Sequence, residues 1–130
     1  MIKGEIYENS SRFLKEANDI VERIDTNEAI KKHGSDETIF IDVRDSADIQ
    51  KTGTIKDCLT IPRGFLEFAA DDKTPYFNQK LNKNSEIILV CGAGGQAALA
   101  GKTLIDMGYA NVKNVGGIGD WEKNNGPMNK

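Results

Sequence analysis

Cys91 is the residue whose type and position point most directly to chemistry. It follows an apolar stretch, residues 86–90, and precedes a glycine-rich run, residues 92–97, after which a helical pattern extends to about Met107. A strand that turns through glycines into a helix aims several backbone N–H groups inward, and the helix start adds partial positive charge. A thiol at this point is biased towards thiolate, its reactive form. The sequence therefore predicts a nucleophilic sulfur in an anion-binding loop.

The loop after the cysteine permits other interpretations, and its residues are Gly92, Ala93, Gly94, Gly95, Gln96 and Ala97. As G-x-G-x-x-A it fits a dinucleotide fingerprint, but the next strand ends at Asn114 without the carboxylate that would bind ribose. A Walker A loop is excluded because no Lys-Ser or Lys-Thr follows the glycines. A buried, inert cysteine beside a tight turn is a further option. Three glycines within four residues lose more backbone entropy on folding than an ordinary turn would require. This cost favours a functional loop, and therefore sulfur chemistry, over a simple turn.

Other reactive residue types are scarce in this chain. Cys58 lies 33 positions before Cys91, a spacing that matches no zinc or dithiol motif. The polar segment of residues 1–13 does not resemble an export signal, so we expect no structural disulfide. His33 is the single histidine and is expected to mark an exposed helix end. We therefore expect neither a bound metal nor a cofactor.

Composition limits the protein class. The 130 residues are enough for one domain with a single core, and 38% hydrophobic with 28% charged residues is typical of a soluble globular protein. The net charge is −3 and no basic cluster exceeds two lysines, which argues against nucleic-acid binding. No stretch approaches transmembrane length. We expect a cytoplasmic protein that binds neither nucleic acid nor a membrane.

The elements that would position the loop alternate between strands and helices. Strands are predicted at residues 38–43, 58–61, 86–90 and 112–115, and helices at 11–17, 26–32, 63–70 and 97–107. Asp25 and Glu28 predict a capping box, and residues 20–24 either continue the first helix or form a first strand. Residues 71–84 are predicted to mix loop with a short helix. Alternation of this kind predicts a one-domain α/β protein whose parallel sheet is covered on both faces.

An ordered set of motifs runs along the chain from about Ile20 to Pro127. The motifs are Ile41-Asp42-Val43-Arg44-Asp45, Gly53-Thr54-Ile55, Ile61-Pro62-Arg63-Gly64, Leu66-Glu67-Phe68, the cysteine loop with Ala98-Leu99-Ala100, Gly108-Tyr109, Asn111-Val112, and Gly116-Gly117 with Trp121. Together they resemble the motifs of single-domain rhodaneses. The resemblance implies a rhodanese-like α/β fold, a five-stranded parallel sheet flanked by helices on both faces, with the loop at the carboxyl end of a central strand. Residues 1–19 would form an N-terminal helical extension and residues 20–130 the rhodanese-like domain.

The resemblance also implies an activity. Cys91 would take a sulfane sulfur from a donor such as thiosulfate and hold it as a persulfide, which a thiol, or cyanide in vitro, would remove. The backbone N–H groups of residues 92–97 would bind the anion. Expected partners are a small sulfur donor (thiosulfate or a persulfide), a thiol acceptor and, as a further option, a protein sulfur acceptor. The alternative is a non-enzymatic rhodanese-homology module that binds a protein partner or relays sulfur to it.

The loop departs from the family's pattern in its charge. Gln96 and Ala97 stand where the family commonly has Arg followed by Ser or Thr, so a cation that would stabilise the thiolate is absent. Arg63 is predicted to lean over the sulfur site and partly replace that charge. The related loops of cysteine phosphatases and arsenate reductases clamp an oxyanion with an arginine, which this loop lacks, so that chemistry is disfavoured.

Three other residues are weighed as structural. Arg44 follows a buried strand and is predicted to be an ion-pair partner. Cys58 replaces a small residue of the family's pattern and is predicted to fill core rather than to resolve a persulfide. Trp121 is predicted to anchor the C-terminal tail in the core.

Overall fold

The computed structural model describes residues 8–130, which form an α/β fold around a parallel sheet. Its strands are β1 (Glu22–Arg23), β2 (Thr38–Asp42), β3 (Thr54–Ile55), β4 (Leu59–Thr60), β5 (Glu86–Cys91), β6 (Asn111–Gly117) and β7 (Met128–Asn129). Five of them form the central sheet in the order β1-β6-β5-β2-β4, and every pairing in it is parallel. The five-stranded parallel sheet expected from the resemblance is confirmed. The remaining two, β3 and β7, pair antiparallel.

Helices cover both faces of the sheet. They are α1 (Ser10–Ile20), α2 (Thr26–Lys31), α3 (Ser46–Thr52), α4 (Leu66–Ala70, after a 3₁₀ turn at Arg63–Phe65), α5 (Gly95–Asp106) and α6 (Ile118–Lys123). On one face α4 and α5 pack on the sheet, and α1 packs on α5. On the other face lie α2 and α6. The first helix therefore packs within its own chain, a point that the sequence left open.

The central strand β5 is buried along its whole length and feeds both halves of the core. Ile87, Leu89 and Cys91 lie on the α5 side, whereas Ile88 and Val90 lie on the α2 and α6 side. This alternation is the two-residue period of a strand with two buried faces. It follows that the thiol of Cys91 points towards the helix that begins immediately after the loop.

Most predicted elements are present, with shifted ends. The first helix is longer than residues 11–17, and residues 20–24 divide between the end of α1 and the edge strand β1. Asp25 caps α2 as predicted, accepting hydrogen bonds from the backbone of Asn27 and Glu28. The helix predicted at 97–107 begins two residues earlier, at Gly95. Residues 71–84 contain turns but no helix.

The elements that the sequence did not reveal are short or exposed. Helix α3 buries none of its residues, so it has no apolar periodicity to detect. The two-residue strands β3 and β7 pair across more than 70 positions of chain, and nothing local specifies that contact. Helix α6 was predicted only as a tail around Trp121.

Arg44 is a structural ion-pair partner, as predicted. Its guanidinium donates to both carboxylate oxygens of Asp42, the shortest contact being 2.7 Å, and also to Thr52 and the carbonyl of Gly53. The hydrogen bond with Asp42 raises the pKa of Arg44 above its ordinary value, more than burial lowers it. The pair fixes the loop after β2 to the end of α3.

Trp121 anchors the C-terminal tail, as predicted. Its ring is fully buried, its Nε1 donates to the carbonyl of Pro127 at 2.9 Å, and it meets the Phe40 ring at a centroid distance of 5.3 Å. His33 lies against these rings and is half-buried, so the expectation of an exposed position was wrong. Its Nε2 lies 2.7 Å from the carbonyl oxygen of Lys56, which gives the ring a structural contact.

Two further expectations concern the N-terminal extension and membrane-spanning helices. The segment of residues 1–7 lies outside the described residues, and the division into an extension at 1–19 and a domain at 20–130 stays a prediction. Within residues 8–130, no helix has the length and apolar character needed to cross a bilayer.

Candidate active site

Cys91 ends the central strand of the sheet, and its sulfur is enclosed by the loop that follows. The Sγ accepts hydrogen bonds from the backbone N–H of Gly94 at 2.9 Å and of Ala97 at 3.4 Å. Only 1% of the residue is exposed. Backbone N–H groups that converge in this way suit an anionic acceptor, because hydrogen bonds to a charged acceptor are the stronger ones. The loop therefore has the donor arrangement expected of an anion-binding site, and its anion-binding role stays a prediction.

The start of α5 supplies those donors because the chain turns sharply at Gly94. This residue has φ +105°, a left-handed conformation that favours glycine, and it is the N-cap of α5. No side chain caps the helix, so the N–H groups of its first turn are left for the loop interior. Gln96 lies in that first turn but is exposed and uncharged. Among residues 91–97 no side chain carries a positive charge, and the donors to the sulfur are backbone groups.

Asn114 on the neighbouring strand holds the loop in this shape, and sequence analysis did not identify that role. Its Nδ2 donates to the carbonyl oxygen of Gly94 at 2.9 Å, and its Oδ1 accepts from the N–H of Gly116 at 2.8 Å. The side chain is 1% exposed. The sequence did contain a signal for this role. Asn114 is a polar residue in a strand that is otherwise mostly buried, and a buried side-chain amide needs hydrogen-bond partners.

Gly117 on the same strand lies close to the first residues of the loop. An ideal Cβ at Gly117 would lie 2.5 Å from the carbonyl oxygen of Gly92 and 3.5 Å from Cα of Ala93. Any side chain at residue 117 would thus push on the start of the loop. The paired register of Cys91 with Gly117 brings these backbones together. The sequence analysis recorded the glycine pair only as a family motif.

The family of the chain can be decided at this point. Residues 25–124 match the family model described as Rhodanese-like domain, and this match includes the whole cysteine loop. The chain belongs to the rhodanese-like domain family. The resemblance seen in the sequence is thereby confirmed.

Two curated relatives of this rhodanese-like domain are longer proteins. It is 35% identical over 92 residues to "Adenylyltransferase and sulfurtransferase UBA4" of Candida albicans, a match that covers 70% of this chain and 20% of the relative. A Bacillus subtilis relative, YrkF, whose name includes the words sulfur carrier protein, is 34% identical over 97 residues; 72% of this chain and 48% of YrkF are covered. The chain thus spans at most about half the length of these relatives.

Solved structures share the fold over nearly the whole chain. A Rhodopseudomonas palustris protein, described as of unknown function and as a possible tyrosine phosphatase, has a TM-score of 0.90 at 32% identity, with 99% of this chain and 100% of that chain covered. The polysulfide-sulfur transferase homodimer of Wolinella succinogenes has a TM-score of 0.73 at 26% identity, covering 92% and 85%. Sulfur transfer thus recurs among the named relatives of this rhodanese-like domain.

Arg63 has its guanidinium on the side of α5 and engages two side chains there. Its Nη1 donates to Glu67 at 3.0 Å and its Nη2 to Thr103 at 2.9 Å. Burial raises the pKa of Glu67, but the hydrogen bond from Arg63, a backbone hydrogen bond and the charge of Arg63 together outweigh it and lower the pKa below its ordinary value. Thr103 lies about 12 Å along the helix axis from Gly95. The contacts of Arg63 within residues 8–130 thus lie away from the loop, and its predicted role in binding the donor stays a prediction.

Arg23 is a cation beside the loop that the sequence analysis missed. An ideal Cβ at Gly94 would lie 3.5 Å from Nη1 of Arg23, and one at Gly116 would lie 2.5 Å from its Nη2. The arginine is exposed and comes from the edge strand β1, where it pairs with Asn114. No local pattern marks it, since 71 positions of chain separate it from Gly94.

Cys58 lies on the opposite face of the sheet from Cys91. It packs with the cluster around Trp121, whereas Cys91 belongs to the cluster under α5. Its Sγ lies 3.2 Å from Oγ1 of Thr54, which in turn donates to Asp42 at 2.7 Å. Burial raises the pKa of the Cys58 thiol, more than the hydrogen bond with Thr54 lowers it. These contacts agree with the prediction that Cys58 fills core.

Proposed function

We propose that this rhodanese-like domain is a sulfurtransferase that moves a sulfane sulfur from a donor such as thiosulfate to a thiol or cyanide, through a persulfide on Cys91. The observation that supports this most directly is the pair of backbone hydrogen bonds to Sγ from Gly94 and Ala97. Such a sulfur is a nucleophile that needs no histidine to activate it. The sulfurtransferase and polysulfide-sulfur transferase among the relatives are consistent with this chemistry.

The proposed reaction has two balanced displacements. The Cys91 thiolate forms a bond to the sulfane sulfur of thiosulfate, the S–S bond of thiosulfate breaks, and sulfite leaves with the electron pair. The cysteine persulfide anion that results has its charge on the terminal sulfur, where the N–H groups of residues 92–97 can stabilise it. Cyanide or a thiolate then attacks that sulfur, the persulfide S–S bond breaks, and the Cys91 thiolate is restored.

The test is the intact mass of the purified protein after thiosulfate treatment and again after cyanide. We expect a gain of one sulfur atom that disappears with cyanide, and no gain in the Cys91→Ser variant. A gain that persists in Cys91→Ser would assign the sulfur to another residue. No gain with thiosulfate or with polysulfide would overturn the proposal.

One observation favours a second candidate, a rhodanese-homology module that binds a protein partner or relays sulfur to it. Cys91 is 1% exposed and its loop has an uncharged residue at Gln96, so access for a free dianion is narrow and its charge is poorly matched. A protein that presents a persulfide directly at the loop would overcome both problems. Sulfur loading from a protein persulfide, with none from thiosulfate or polysulfide, is the outcome that selects this candidate.

Hydrolysis of phosphate esters is the outcome that we do not expect. A phosphatase loop clamps its oxyanion with an arginine, and residues 91–97 contain none. Incubation with p-nitrophenyl phosphate should give no product above the Cys91→Ser background. The cytoplasmic location and the absence of a cofactor stay predictions alongside this function.

A further inference from the structure

The guanidinium of Arg23 lies against Gly116, next to the cysteine loop. Gly116 has φ +96°, and its missing side chain leaves room for Nη2, which would otherwise meet a Cβ at 2.5 Å. Gly94 is the second neighbour, since a Cβ there would be in ordinary contact with Nη1, at 3.5 Å. The absence of a side chain at Gly116 therefore allows the guanidinium to approach the loop.

This position is close to the reactive sulfur. The N–H of Gly94 donates to Sγ of Cys91 at 2.9 Å, so Nη1 of Arg23 is at most about 9 Å from that sulfur. The strands explain the approach. Arg23 ends β1, Cys91 ends β5, and in a parallel sheet both carboxyl ends lie at the same edge.

Among residues 8–130, no carboxylate neutralises the charge of Arg23. The side chain is exposed, and within residues 8–130 no carboxylate forms an ion pair with it. Arg63, by contrast, is already engaged by Glu67 and Thr103. A guanidinium offers parallel N–H donors that match the oxygens of a sulfonate group as they match those of phosphate or carboxylate.

We propose that Arg23 binds the anionic sulfur donor at the rim of the Cys91 loop and so supplies, from a distant strand, the positive charge that Gln96 does not. This inference rests on the proposed function and names the residue that recognises the donor. In the first displacement the sulfane sulfur faces Sγ while the sulfonate oxygens face Arg23. The sulfite that leaves takes up the electron pair of the broken S–S bond beside the same guanidinium.

The first experiment measures steady-state transfer from thiosulfate to cyanide. Arg23→Ala should raise KM for thiosulfate by about tenfold, the effect of one charge-assisted hydrogen bond, with a smaller change in kcat. Arg23→Lys should recover part of the loss because it keeps the charge without the fork of donors. Lys31→Ala removes an exposed positive charge on α2 and should leave KM unchanged.

A rescue variant separates charge at the loop from a general structural effect. If Arg23 replaces a loop arginine, Gln96→Arg should restore KM in the Arg23→Ala background. Failure of this rescue, with both variants folded as judged by their unfolding midpoints, would contradict the idea that the two positions supply the same charge. Arg63→Ala in the same assay tests the earlier prediction for that residue.

A binding measurement distinguishes failure of this inference from failure of the proposed function. In an NMR titration of Cys91→Ser with thiosulfate, the amide signals of residues 92–97 should shift, and adding Arg23→Ala should weaken the Kd by about tenfold. An unchanged Kd, or an unchanged KM while the wild type still forms a persulfide, would overturn the role of Arg23 alone. If the wild type forms no persulfide, the proposed function fails, and the titration still decides whether Arg23 binds the anion.

Discussion

The side-chain amide of Asn114 donates a hydrogen bond to the carbonyl of Gly94, 20 positions earlier in the chain, at 2.9 Å. Gly94 is also the residue whose N–H donates to Sγ of Cys91. The carbonyl group of Gly94 is thus bound to the sheet, and its N–H group is bound to the sulfur. The shape of the loop therefore depends on a strand that contributes no reactive group.

Replacing Asn114 should impair the loop more than it impairs the fold. Asn114→Ala leaves the Gly94 carbonyl and the Gly116 N–H without their partner, which should lower the free energy of unfolding by about 1–3 kcal/mol. Sulfur loading of Cys91 from thiosulfate should slow as well, because Gly94 is no longer fixed. Urea unfolding and single-turnover mass analysis measure the two effects. Asn111→Ala, an exposed position on the same strand, is the control and should change neither.

Adding a methyl group at residue 117 should displace the start of the loop. In Gly117→Ala the new Cβ would meet the carbonyl oxygen of Gly92 at 2.5 Å, and backbone must move to relieve it. Overpacking of this kind costs about 1–3 kcal/mol of stability, and we expect the rate of persulfide formation to fall by at least about tenfold. Gly119→Ala is the matched control, because a Cβ there has no neighbour within 4 Å. Equal rates in the two variants would show that the loop tolerates the shift.

Cys58 should be dispensable for sulfur transfer. It lies on the other face of the sheet from Cys91, so it cannot receive the persulfide sulfur without rearrangement of the core. Cys58→Ala should load one sulfur from thiosulfate as the wild type does, although a small cavity will lower stability. Loss of turnover with intact loading would instead indicate that Cys58 takes part in sulfur release.

The thiol of Cys58 should also react slowly with alkylating agents at neutral pH. Its pKa is raised by burial, so the thiolate forms only at pH values above the ordinary range of a free thiol, about 8.5. In the Cys91→Ser variant, the rate of alkylation by iodoacetamide should therefore increase at a higher pH than the rate for a small free thiol. A profile that coincides with the free thiol would contradict the burial effect.

Glu86 should make the stability of the domain depend on acidic pH. Burial raises its pKa, but hydrogen bonds from Lys113, Lys32 and Thr38 outweigh it and lower the pKa below its ordinary value. A lowered pKa in the folded state gives stability that is present above the unfolded value, about 4.3, and is lost as the pH falls through the folded value. Glu86→Gln should therefore be destabilised at pH 7, and its deficit should shrink below about pH 4.3.

Urea unfolding between pH 3 and pH 7 measures that deficit directly. Glu37→Gln removes an exposed carboxylate near the same edge of the sheet and serves as the control, with a small effect at every pH. A deficit for Glu86→Gln that does not change with pH would mean that packing, and not the ionised carboxylate, is the source of the stabilisation.

Sequence alone was sufficient to single out Cys91 as the candidate nucleophile and to predict the framework around it. Cys91, the glycines after it and the helix start are consecutive, and the hydrogen bonds to its sulfur span at most six positions. The alternation of strands and helices likewise predicted a parallel sheet, because apolar periodicity is a local property. Arg44 was assigned correctly because it directly follows a strongly apolar strand, and Trp121 because so large an aromatic side chain is usually buried.

Only the tertiary structure decided what surrounds the sulfur. Asn114 and Gly117 reach the loop from β6, and Arg23 reaches it from β1 through the register of parallel strands. The hydrogen bond from Arg63 to Thr103 on α5 is likewise a tertiary contact that the sequence did not indicate. The physical reason is that pairing among β1, β5 and β6 joins residues 25 to 91 positions apart, and the composition of either segment does not specify which side chains become neighbours.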